Sequence, residues 1–131
     1  MAVTSVGGAI RALIVADGLV SGRCWQDDAP LGATLPYVTI DDAISASPIL
    51  KGDGQTVAIV RLGTVHLWES LRAEDPALAR RLWVCLDGKR VALDGVITRL
   101  AVDDSQRLPE PDNNNAHRAL TLSIRHDPAA Y

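Results

Sequence analysis

The stretch that decides the fold is Thr56-Val57-Ala58-Ile59-Val60-Arg61-Leu62-Gly63-Thr64-Val65-His66-Leu67-Trp68-Glu69-Ser70, followed by Asp75-Pro76 and a helical pattern closing on Leu86-Asp87-Gly88. The first part is apolar at both parities through much of its length, which places it as a strand inside a sheet rather than at its border. It leaves through a Trp and an acid. The second part carries helix punctuation at both ends. Asp75 offers an acceptor to an orphaned amide, Pro76 sits where no intrahelical donor is needed, and Gly88 tolerates a left-handed exit. A strand feeding a helix explains folding and contains no chemistry of its own.

Upstream, residues 5–16 place Val6, Ile10, Leu13 and Ile14 on one helical face, with Thr4 or Ser5 available as a cap and Asp17-Gly18 ending the run. Arg23–Gln26 reads as a short edge strand, and residues 27–34 as a turn-rich connection. Tyr37–Ala46 is the next strand, with Asp41-Asp42 marking a bend or bulge. Ser47–Gln55, with Pro48, Gly52, Asp53 and Gly54, reads as a loop or hairpin tip. Downstream, Lys89–Leu93 reads as a short extension or strand and Gly95–Val102 as a strand with Val96, Thr98, Leu100 and Val102 on one side. Residues 104–115 form a polar loop with three successive Asn residues. His117–His126 closes the fold with Leu120, Leu122 and Ile124 alternating against Thr121, Ser123 and Arg125, the pattern of a sheet packed on one side. The expected fold is α+β, a mainly antiparallel sheet of about four strands packed with two helices. The whole chain, residues 1–131, reads as one domain.

The order of these pieces resembles the tail-completion, or tail-terminator, family of long-tailed bacteriophages. The residues that carry the resemblance are Ala29-Pro30, Leu35-Pro36-Tyr37-Val38, the long strand ending at Trp68, Leu86-Asp87-Gly88, and the final strand His117–Arg125. They span about Gly7 to Ile124. The resemblance implies a structural virion protein forming a ring, usually hexameric, that caps the tail tube and joins it to the head. Its partners would be the tail-tube protein, a head-completion or connector protein and further copies of itself. DNA would pass through the lumen without sequence-specific binding. The family residues carry over as scaffold: Pro30, Pro36, Tyr37, Trp68, Asp75, Pro76 and Gly88. The resemblance also implies a location in the virion, with assembly in the host cytoplasm. A head–tail connector or head-closure ring is the alternative within that setting, and a small-molecule-binding α+β protein is a further one.

Composition bounds these readings. Apolar residues make up 47% of the chain, yet there is no Phe and aromatics are 4%, so Leu, Val, Ile and Ala build the core. The net charge of −3 argues against a protein that clamps nucleic acid or an anionic membrane. Two cysteines, Cys24 and Cys85, do not make a disulfide framework, and Cys85 lies in the helical pattern as core filler. The N-terminus has no signal-peptide pattern, and no window approaches a membrane span.

Chemistry-bearing residues are sparse. His66, His117 and His126 lack a second ligand at metal-binding spacing, so no metal or cofactor is expected, and His66 reads as a half-buried strand residue hydrogen-bonded across the sheet. Adjacent carboxylates in Asp27-Asp28, Asp41-Asp42 and Asp103-Asp104 point to opposite faces when extended and cannot jointly clamp an ion. No nucleophile elbow or phosphate loop is present, and no catalytic residue is expected. Arg80-Arg81 reads as a solvated helix face or an oligomer salt bridge. Partner contacts are expected on the two loops: Lys51, Asp53 and Gln55 on one, Asp104, Arg107, Glu110 and Asn113 on the other. Both loops are expected to be mobile until docked. Trp68 is expected to be buried against the second helix, near Leu82 or Leu86.

Overall fold

The computed structural model describes residues 6–50, 56–93, 96–109 and 115–126. In chain order the elements are α1 (Val6–Asp17), β1 (Cys24–Gln26), β2 (Tyr37–Leu50), β3 (Thr56–Ser70), a single 3-10 turn (Leu71–Ala73), α2 (Pro76–Leu86), β4 (Arg90–Leu93), β5 (Val96–Leu108) and β6 (Asn115–His126). The fold is α+β as the sequence indicates, with six strands in one sheet in the order β1-β2-β3-β6-β5-β4. Among the described residues only the β1–β2 pair is parallel; the other neighbour pairs are antiparallel. The long strand β3 lies inside the sheet between β2 and β6, as its apolar character at both parities requires.

Both helices lie on one face. Ile10 and Ile14 of α1 and Leu82 and Leu86 of α2 are buried with Val38, Ile40, Val65, Leu67, Leu100, Leu120, Leu122 and Ile124 from the sheet. This single layer of aliphatic side chains is the core, and the alternation of β6 supplies three of its members. Cys24 and Cys85 are buried free thiols in the same layer, and Cys85 Sγ donates to the Leu13 carbonyl at 3.4 Å. Burial pushes the Cys24 thiol up to about 11 and raises that of Cys85.

The punctuation of α2 is as the sequence states it. The Asp75 carboxylate accepts the Ala77 amide at 2.9 Å, and Pro76 opens the helix. At the other end the Asp87 amide donates to Trp83 at 2.8 Å, and Gly88 takes the left-handed exit at φ 74°. α1 ends likewise at Gly18, with φ 77° and its amide on the Ile14 carbonyl.

Two loop expectations are corrected. Ser47–Leu50 continue β2, pairing with β3 from Ser47↔Val60 to Leu50↔Thr56. Pro48 is compatible with a strand here because β1 reaches only Val38–Ile40, so the outer side of β2 is an open edge where no donor is required. Residues 104–108 likewise continue β5, paired with β6 as far as Leu108↔His117, across a register shift between Val102 and Asp104. The shift is stabilised by Asp87, whose carboxylate accepts the Val102 amide at 2.9 Å. A register shift between Asp41 and Ser45 in β2 matches the bend expected at the Asp41-Asp42 pair.

Candidate functional site

The helices leave the opposite face of the sheet open, and the pleat decides what stands on it. Side chains alternate, so the partners of core residues select one parity per strand: Trp25 on β1, Tyr37, Thr39 and Asp41 on β2, Leu62, Thr64, His66 and Trp68 on β3, the odd-numbered residues from His117 to Arg125 on β6, Ile97, Arg99 and Ala101 on β5, and Arg90 on β4. The chemistry of this face falls into two parts.

Towards β1 and β2 it is aromatic. Trp68 stacks on His117 with ring centroids 3.8 Å apart and planes at 11°, and on Tyr37 at 6.2 Å. Trp25 meets the Tyr37 ring edge-on at 5.7 Å. The Trp68 indole N–H donates to the Thr39 hydroxyl at 3.2 Å. His66 bridges the group, with Nε2 at 2.8 Å from an Asp41 carboxylate oxygen and Nδ1 at 2.6 Å from His117 Nε2. A carboxylate can only accept, so His66 Nε2 carries the proton of that contact, and the two imidazoles share one proton between Nδ1 of His66 and Nε2 of His117. His66 is therefore bonded across the sheet as expected. Trp68 is not packed on α2. It has the opposite parity to Leu67, which is 1% exposed in the core, so the tryptophan is turned to the helix-free side and half-buried there.

Towards β4 and β5 the face is basic. Arg90 pairs with Arg99, and Arg99 with Arg125, so three guanidinium groups stand in one row across three adjacent strands. All three are exposed. They line a cleft of about 480 Å³ together with Gly88, Ala101 and Ser123.

The residues expected to bind partners separate. Lys51, Asp53, Gln55, Glu110 and Asn113 lie outside the described residues. Asp104 and Arg107 are on β5 rather than on a loop, because the strand runs on past its bulge. Asp104 accepts the Ser105 amide, and Arg107 forms a two-pronged ion pair with Glu74 at 3.1 and 3.2 Å. Arg81 is also engaged within the chain, 2.7 Å from the Asp17 carboxylate, while Arg80 is exposed. Among the scaffold residues, the Pro36 carbonyl accepts from Arg23 Nε at 2.9 Å and the Pro30 carbonyl closes a turn with Ala33. Glu69, the acid after Trp68, is buried and accepts the Asp75 amide at 2.7 Å, tying the strand exit to the start of α2. Its carboxyl is raised above the ordinary carboxylate range, chiefly by burial.

Among the described residues no group of three or more His, Cys, Asp or Glu side chains is placed to hold a metal ion, and no helix is long and apolar enough to cross a membrane. The aromatic and basic halves of the open face were missed in the sequence because their members are scattered over six strands. The signal that could have found them is the parity opposite to Leu120, Leu122 and Ile124, carried across the strand pairs.

No family model matches the chain, and no curated protein matches it in sequence. Among solved structures, the chain is similar to a protein chain in the virion of a native gene transfer agent particle. The likeness has a TM-score of 0.72 at 16% identity and covers 94% of this chain and 95% of that one. At that identity it establishes a shared fold over nearly the full length of both.

Proposed function

We propose that the protein is a structural component of a phage-like virion, acting as a tail terminator: a ring that caps the tail tube and joins it to the head. The observation that carries this reading is the fold likeness to a virion chain over 94% of this chain and 95% of the other. Such full-length coverage is what a shared single-domain component gives, and the tail-terminator motif order of the sequence points the same way. The role is architectural and involves no catalysis.

The sheet supplies the means of assembly. Among the described residues, the outer side of β2 beyond Ile40 and the outer side of β4 have no strand partner and form open edges on opposite borders of one sheet. An edge at each border permits head-to-tail contacts between copies, and a heterologous contact of this kind closes into a ring when the rotation per copy divides a full turn. The expected ring is a hexamer, with its neighbours the tail-tube protein on one side and a head-completion protein on the other. Electron microscopy of the purified protein, with and without tail tubes, tests the reading. Rings in solution or seated on tube ends are expected. Monomers that neither form rings nor bind tubes would contradict it.

A further inference from the structure

The row Arg90–Arg99–Arg125 has no role in the reading above, and its electrostatics call for one. Like charges directly opposite each other on neighbouring strands destabilise a sheet, and here two such pairs share a member. Among the described residues no carboxylate lies within ion-pair distance of any of the three. Two arginines elsewhere show the contrast, Arg81 pairing with Asp17 and Arg107 with Glu74. Asp103 is the acid tied closest to the patch in the bonding pattern, and it is held by the Ser123 hydroxyl rather than by a guanidinium. In a chain of net charge −3, these three positive charges are concentrated on one face.

We propose that this row is a binding site for the phosphodiester backbone of nucleic acid. Adjacent strands are about 4.8 Å apart, so the row spans about 10 Å. One strand of duplex DNA carries a phosphate for about every 3.4 Å of axis, so a row laid along the axis covers the rise of about three phosphates. Guanidinium is the group best suited to paired hydrogen bonds with phosphate oxygens. Ala101 and Ser123 beside the row are small and leave the cleft open to a ribbon-like polyanion. Of the exposed apolar side chains of this face, Leu62 stands on β3 outside the row, and Ile97 stands on β5 two residues from Arg99, beside the row rather than in it. A protein partner would need a desolvated apolar centre, and the middle of this patch is charged. The overall acidity of the chain fits contact that is local, weak and independent of base sequence. This inference rests on the row itself and does not depend on the ring.

The test is binding of a fluorescent DNA duplex to the full chain, followed by anisotropy over a range of salt. The variants are Arg90→Gln/Arg99→Gln/Arg125→Gln together, Arg99→Gln alone, and Arg72→Gln as a charge-matched control on the 3-10 turn. With three phosphates neutralised, affinity should weaken about 40-fold between about 50 and about 200 mM salt, and the triple variant should lose that dependence. Arg99→Gln should reduce the slope of log affinity against log salt by about one, and Arg72→Gln should leave it unchanged. Absence of binding at low salt, or equal slopes in wild type and triple variant, would overturn the proposal. Displacement of the duplex by inorganic phosphate beyond the effect of the same ionic strength of chloride would assign the row to small anions and overturn it too. So would a salt-sensitive self-association that the triple variant abolishes while DNA binding is absent, since the row would then be a subunit contact.

Discussion

Replacing Trp68 by Ala separates the two placements open to this residue, in the core or on the helix-free face. A core tryptophan truncated to alanine costs about 3–5 kcal/mol. Here the ring is half-buried, so the transfer contribution is smaller. Against that stand the His117 and Tyr37 stacks and the indole bond to Thr39, a residue only 6% exposed. Each aromatic pair adds about 0.5–1.5 kcal/mol and the hydrogen bond about 1 kcal/mol. The expected loss is about 2–4 kcal/mol, measured as the shift in urea unfolding at constant m-value. Trp68→Phe keeps a stacking ring without the N–H and should lose about 1 kcal/mol. A double-mutant cycle with His117→Ala should return a coupling of about 0.5–1.5 kcal/mol. A Trp68→Ala loss below about 0.5 kcal/mol, or a cycle that closes to zero, would refute the stacked cluster.

The remaining predictions concern the two ends of α2 and the buried titratable groups. Asp75→Ala removes the acceptor for the Ala77 amide and should cost about 1 kcal/mol in urea melts, and Asp75→Asn should recover most of it. Glu69 is held above the ordinary carboxylate range by burial, opposed by its bond from the Asp75 amide, so the folded state keeps this proton to a higher pH than the unfolded state does. Stability from this group is therefore present below the unfolded carboxylate value and lost as pH rises through the raised folded value. Glu69→Gln, which retains an acceptor for Asp75, should flatten that part of the stability–pH curve relative to wild type. Cys24 and Cys85, both buried and raised, should resist a thiol reagent at pH about 8 in the native protein and react fully in denaturant, because the thiolate is the reactive form.

The helices, the central strand and the core were legible because each carries a local signal. Asp75, Pro76 and Gly88 mark α2 by backbone chemistry, and the alternation of Leu120, Leu122 and Ile124 gives the buried face of β6 directly. The extensions of β2 and β5 were not legible, since Pro48 and the polar run Asp104-Ser105-Gln106-Arg107 read as loop composition. The tertiary setting overrides that composition. Pro48 sits on an open edge, and the exposed face of β5 accepts polar residues while Asp87 satisfies the bulge. Trp68 was misplaced for a different reason. Size and hydrophobicity argue for the core, but its parity relative to Leu67 is what decides the face, and that follows only once the register with Val38 and Tyr37 is known. The arginine row has no local sequence signature: parity puts each arginine on the open face, but residues 90, 99 and 125 meet only through strand order.

The central claim, that this chain terminates the tail of a phage-like particle, is tested most directly by electron microscopy of particles made with its gene deleted. The account predicts filled heads without attached tails, together with tail tubes of uncontrolled length, both restored by supplying the gene in trans. Unjoined tails of normal length would move the protein to the neck, and intact particles in normal number would contradict the account.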